Sequence, residues 1–94
     1  MKIEIKINSE IKEIEFDNPK GRHQRRFLEV YPSGDNPSKE ELIKFSDFKF
    51  KLIKDLSKGV ITDEVYDDLE VDDINKIWII LIKKISGTSV DEKN

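Results

Sequence analysis

Between Thr62 and Ile85 the chain changes character within a few residues. Asp63, Glu64, Asp67, Asp68, Glu70, Asp72 and Asp73 occur with no basic residue among them, and Ile74–Ile85, just after, is the most apolar segment of the sequence. On a helical wheel Ile74, Ile77, Trp78, Leu81, Ile82 and Ile85 form one broad face, with Ile79 and Ile80 on its flanks. A helix apolar nearly all round is either deeply buried or shared with another subunit. A chain of 94 residues buries only a modest fraction of its surface. The remaining segments are therefore expected to cover this helix, and a homo-oligomer is a second expected way of burying it. Thr62 is a good N-cap, and Asp63 and Glu64 suit the positive end of a short acidic helix. A tight joint at Glu70–Val71 follows, and Asp72 or Asp73 is expected to cap the last helix.

The upstream segments have the periods such a cover needs. Ile3, Ile5 and Ile7 alternate with Lys2, Glu4 and Lys6, and Ile14 and Phe16 repeat the alternation after a turn at Asn8-Ser9-Glu10. Period two with β-branched residues predicts a β-hairpin with one apolar face. Ile11 breaks the second alternation and is expected in the turn or at a bulge. Asp17-Asn18-Pro19 has the form of a helix start, with Pro at the first helical position. The helix is expected to run to about Tyr31, with His23, Phe27, Val30 and Tyr31 on one face and Arg22, Arg25 and Arg26 on the other. Pro32–Pro37 reads as a loop. Ser38 and Glu41 have capping-box spacing. They open a helix whose apolar face holds Leu42, Phe45, Leu52, Ile53 and Leu56, and Gly59 is its natural stop. Lys49 falls inside that apolar arc, so it must snorkel or border an opening. The fold class expected is α+β, an N-terminal β-hairpin followed by a small bundle of three to four helices. A single domain over residues 1–87, with Gly87 ending the last helix, leaves 88–94 as a polar, flexible tail.

Charged residues are 39% of the chain, against roughly 25% in an average globular protein, so much of the surface is charged. The net charge is only −3, but the distribution is lopsided. Lys20, Arg22, Arg25 and Arg26 form a basic patch without an intervening acid, opposite in sign to the run at 63–73. Two such patches can meet within one molecule or between two copies. The absence of cysteine excludes disulfides, thiolate metal sites and a cysteine nucleophile. No segment reaches the roughly 18 apolar residues of a membrane span. The charged N-terminal segment is unlike a signal peptide. A cytoplasmic protein with no membrane contact is the expectation.

Chemical motifs are sparse. His23 is the only histidine, and a packed structural role is the simpler reading beside that of a general base. The acids at Asp67, Asp68, Glu70, Asp72 and Asp73 lack the calcium-loop spacing and its central glycine, and helix caps with a solvated face account for them. There is no phosphate-binding glycine loop, serine elbow or paired-carboxylate motif. The expectation is a protein that is not an enzyme, with no catalytic residues, no metal and no cofactor. The basic patch keeps nucleic-acid binding open as an alternative.

The order of these features resembles the small tail assembly chaperones of long-tailed bacteriophages over roughly residues 11–86. A short β-element is followed by a glycine–basic helix start, Pro19-Lys20-Gly21-Arg22 with Arg25-Arg26-Phe27. A polar loop and a second helix lead to the junction Leu56-Ser57-Lys58-Gly59-Val60-Ile61-Thr62. The acidic stretch Glu64–Asp73 and the apolar helix Ile74–Ile85 close the domain. The loop Pro32–Pro37 has no counterpart in that pattern, and the acidic helix is short for it.

The resemblance implies a non-enzymatic phage or prophage protein that binds the tape measure protein and the tail tube subunit in the host cytoplasm and is absent from finished virions. It also implies a longer form made by ribosomal frameshifting, and Glu92-Lys93-Asn94 can be encoded by codons that contain an A-AAA-AAY slip site. A client that is long, helical and apolar calls for an adaptable apolar strip with charged rims. Lys49, Trp78, Ile79 and Ile80 are the residues expected to form it. The alternatives are a small regulator that binds nucleic acid through Lys20–Arg26, and a structural tail or connector component.

Overall fold

Residues 1–32 and 34–86 are described by a computed structural model. In order along the chain come β1 (Lys2–Ile7), β2 (Glu10–Glu15), α1 (Gly21–Val30), α2 (Lys39–Leu56), α3 (Asp63–Asp68) and α4 (Val71–Ser86). This is the expected α+β architecture, an antiparallel hairpin followed by four helices. The expected helix stop at Gly87 and the tail 88–94 lie outside the described residues.

The hairpin closes through Asn8 and Ser9, both left-handed with φ of 52° and 69°. A two-residue loop of this kind matches the twist of the flanking strands. It sets an unbroken register from Ile7↔Glu10 to Lys2↔Glu15. Ile11 is thus neither in the turn nor at a bulge. It pairs with Lys6 and points outward, 71% exposed, because the loop length puts it on the face of Glu13 and Glu15. The inner face buries Ile3, Ile5, Ile7, Ile14 and Phe16.

These side chains meet α4. Ile77 and Leu81 have no solvent exposure, and Ile85 is buried one turn further on. Strand β1, helix α1 and helix α2 all pack against α4. Phe27 and Val30 from α1, and Phe48, Leu52, Ile53 and Leu56 from α2, complete the core with Ile61 and Leu69. Helix α4 starts earlier than expected. The Glu70 carbonyl accepts from the N–H groups of Asp73 and Ile74, so Asp72 and Asp73 lie in the first turn rather than at the cap. There they still favour the positive end of the helix.

Helix α1 starts later than expected, at Gly21 rather than Pro19. Asp17 is occupied elsewhere. Its N–H donates to the Leu56 carbonyl at 2.8 Å, and its carboxylate lies 3.3 Å from Lys58. The Lys20 N–H at the helix start instead donates to Nδ1 of His23 at 2.8 Å. Helix α2 has the expected capping box, with Glu41 N–H donating to Ser38 Oγ and Ser38 N–H to the Glu41 carboxylate. It ends where Lys58 and Gly59 both turn left-handed, φ 59° and 84°.

At 18 residues against the 10 of α1, α2 is about 27 Å long against about 15 Å. Its first turns run past the end of α1, where Tyr31 meets Phe45. Leu42, expected on the core face, is half exposed for this reason, as is Ile43.

Ser57, just past α2, is fully buried. Its hydroxyl donates to the Lys54 carbonyl and accepts from the Ile61 N–H. Ser57→Ala leaves that N–H without a partner and is expected to lower the unfolding free energy by about 1–3 kcal/mol in chemical denaturation. The exposed Ser46→Ala is expected to change it by less than about 0.5 kcal/mol.

Candidate protein-interaction groove

The overhang of α2 leaves a trough between its first turns, the end of α1 and the middle of α4. Tyr31, Pro32, Gly34, Leu42, Phe45, Trp78 and Ile82 line it, around about 510 Å³ of open space. Each lining residue is placed by a local cause. Tyr31 follows the last residue of α1, where the chain turns extended into Pro32. Leu42 and Phe45 are one turn apart on α2, and Trp78 and Ile82 one turn apart on α4.

The groove floor is aromatic. Phe27 lies 5.2 Å from Tyr31, 6.2 Å from Phe45 and 6.5 Å from Trp78, centroid to centroid. Phe45 meets Tyr31 at 5.8 Å and Trp78 at 5.6 Å, both nearly edge to face. Such pairs add to simple burial. Exposure rises across the cluster. Phe27 and Phe48 are buried, Phe45 and Trp78 half-buried, and Tyr31 is 59% exposed. The rings that seal the core thus continue to the surface.

Among the residues expected to form the strip, Lys49 and Trp78 are brought together, with Nζ 5.6 Å from the indole centroid. This lysine is half-buried, and its ammonium faces the ring. Ile79 is 51% exposed and lies one helical turn from Ile82, but it does not itself line the groove. Ile80 is half-buried and packs on the core. It is turned about 200° from Trp78 on the helix, so the two do not share a face. Tyr31, Leu42 and Phe45 were legible only as core-face residues. The signal that exposes them is the difference in length between α1 and α2.

Lys20, Arg22, Arg25 and Arg26 are all exposed. Arg22 and Arg26 border a smaller hollow of about 340 Å³ with His23, Asp47, Phe48, Lys51, Leu52 and Asp55. Carboxylates stand among the cations there: Arg26 pairs with Glu29 at 3.2 Å and Lys51 with Asp47 at 3.0 Å. Among the described residues no ion pair joins the basic patch to the acids at 63–73. Asp63 is met by Lys54 of α2. A third hollow lies between α2 and α3, where Tyr66 stacks edge-on against Phe50 at 4.7 Å. Burial, and secondarily the neighbouring Asp67 carboxylate, push the Tyr66 hydroxyl above its ordinary pKa.

His23 is buried, and its partner lies on another helix. Nδ1 accepts from the Lys20 N–H, and Nε2 lies 3.1 Å from Asp55 Oδ2. The backbone N–H can only donate, so in the neutral ring Nε2 carries the hydrogen and donates it to Asp55. With both nitrogens engaged, the ring holds α1 to α2. Among the described residues no three acidic or histidine side chains converge as a metal site requires. No helix of the described residues is long and apolar enough to cross a membrane.

Comparison of the chain with models of protein families, with curated proteins and with solved structures finds no match.

For the neutral imidazole of His23, nitrogen-detected NMR is expected to show the Nε2–H tautomer; an Nδ1–H ring would contradict the assignment. His23→Ala, which frees the Lys20 N–H, is expected to lower stability by about 1–3 kcal/mol.

Proposed function

We propose that this chain is a tail assembly chaperone of a long-tailed phage or prophage, acting without enzymatic chemistry in the host cytoplasm. Its clients are the tape measure protein and the tail tube subunit. The observation that carries the reading is the open aromatic groove of Tyr31, Leu42, Phe45, Trp78 and Ile82. The order of sequence features from the hairpin to the apolar helix supports it independently. A trough between helices, lined by aromatic and aliphatic side chains, fits one face of an amphipathic helix, which inserts side chains at i, i+3 and i+4. A tape measure protein before it is enclosed by the tube offers long stretches of such helix.

The groove also reads out its own occupation, because Trp78 is the only tryptophan in the chain. Titration with purified tape measure fragments, and with the tube subunit, is expected to shift Trp78 emission to shorter wavelength. Leu42→Asp and Ile79→Asp, at half-exposed positions, are expected to keep the circular dichroism spectrum and to weaken binding about tenfold or more. If neither client binds, the assignment fails. If duplex DNA binds instead, and Arg22→Ala with Arg25→Ala abolishes it, the function belongs to the exposed face of α1.

A further inference from the structure

Among the described residues the sheet has two strands, so β1 is an edge. The direction of its free backbone groups follows from its first pair. Met1 N donates to the Phe16 carbonyl at 3.0 Å, and Phe16 N donates to the Met1 carbonyl at 2.7 Å. Positions 1 and 16 are therefore a hydrogen-bonded pair. Hydrogen-bonded and non-hydrogen-bonded pairs alternate in an antiparallel ladder. With the observed register, Ile3, Ile5 and Ile7 point their N–H and C=O groups at β2, and Lys2, Glu4 and Lys6 point theirs away. None of these three has a backbone partner outside the hairpin among the described residues. Such a row is a ready template for another strand, and β1 has no proline and no bulge to block it.

The charges on β1 say which strand fits. Glu4 faces Glu13 across the hairpin, a like-charge pair. Neither Glu4 nor Lys6 has an ion pair among the described residues. A second β1, run antiparallel about a twofold axis, can bond only through positions 2, 4 and 6. Glu4 against Glu4 also sets Lys2 against Lys6, so every charge meets its like. Lys2 against Glu4 also matches charges, but it sets Met1 against Ile5 and leaves Lys6 and Ile7 unpaired. Glu4 against Lys6 matches charges and keeps the β-branched residues of Ile3–Ile7 opposite one another, with Ile5 against Ile5 and Ile3 against Ile7. The free edge of β2 suits self-pairing less, since its outward-facing positions are Ile11, Glu13 and Glu15.

We infer that β1 pairs with β1 of a second copy in this register, Glu4 opposite Lys6 and Ile5 on the twofold axis. The product is a four-stranded sheet in the order β2-β1-β1-β2. Each Glu4 gains a cation that it lacks among the described residues of its own chain, and the buried inner faces of the two hairpins become continuous. An isolated two-stranded hairpin is marginal, and added strands extend the support that α4 already gives this one. The pairing uses none of the groove residues, so it stands apart from the proposed client binding.

Light scattering coupled to size exclusion is expected to give twice the 11.0 kDa chain mass. Glu4→Pro removes an N–H that the hairpin does not use, so the fold is expected to persist and the dimer to be lost. Glu4→Lys alone and Lys6→Glu alone each set like charges together and are expected to weaken the dimer about tenfold, while the double exchange restores it. A chain that stays monomeric throughout, or a dimer that survives Glu4→Pro, overturns the inference. Should Glu4→Pro fail to fold, the charge exchange decides, and loss without rescue overturns it. A monomer whose edge instead takes a strand from another protein, in a Glu4→Pro-sensitive complex, also overturns pairing between copies.

Discussion

Ile77 and Leu81 of α4 lie at zero exposure between the hairpin and helices α1 and α2, and the remaining architecture depends on that burial. Neither partner is stable alone. A two-stranded hairpin with one apolar face is marginal in water, and a helix as apolar as α4 cannot stand in solvent. Each supplies the surface the other lacks. Leu→Ala or Ile→Ala at such positions typically costs 2–5 kcal/mol, a large part of the stability of a domain this size. Packing on α4 thus supports the two-stranded sheet, and among the described residues the outer edge of β1 stays unpaired.

A second constraint is polar and concentrated at the end of α2. Four consecutive residues tie down three other segments. Asp55 takes the Nε2–H of His23 and so fixes α1. The Leu56 carbonyl takes the N–H of Asp17 at the exit of the hairpin, and Lys58 pairs with the Asp17 side chain. Ser57 closes the turn onto Ile61 ahead of α3. A helix C-terminus leaves carbonyls without intrahelical partners. Here one of those carbonyls becomes the anchor for a distant segment, which is why Asp17 does not cap the helix that follows it.

Much of this was legible in the sequence, and the failures share one physical origin. Alternation in Lys2–Ile7, the Ser38/Glu41 capping box, the Thr62 cap and the stop at Gly59 are local signals, and they fix the elements correctly. The helix start expected at Asp17-Asn18-Pro19, and the places expected for Ile11 and Leu42, fail because each answers to something non-local. Asp17 is held by α2, Ile11 by the length of the loop across from it, and Leu42 by how far α1 extends beside it. The groove was legible only in part for the same reason. Trp78, Ile79 and Ile80 are consecutive and apolar, but the helix turns about 100° per residue. Only Trp78 faces α2, with Ile79 beside the opening and Ile80 on the core side. The basic patch was plain in the sequence as a charge run, while the carboxylates beside it come from elsewhere on α1 and from α2.

Placing the groove on the aromatic cluster couples binding to stability unevenly. Phe27 and Phe48 are buried and hold the helices together, so altering them perturbs the fold before it perturbs any surface. Phe45 and Trp78 belong to both core and groove, being half-buried and ringed by other aromatics. Their positions are fixed before a partner arrives, which lowers the ordering cost of binding. Tyr31 and Leu42 are mostly outside the core, and the fold gives no packing reason for a large apolar side chain at Leu42, half exposed on an overhanging turn. A lone exposed leucine is ordinary on a protein surface. One set beside Tyr31, Pro32 and Ile82 on a fixed aromatic floor makes a contiguous apolar patch, and patches of that kind mark contact surfaces. The overhang of α2 is thus the feature that separates what this chain needs to fold from what it presents to another molecule.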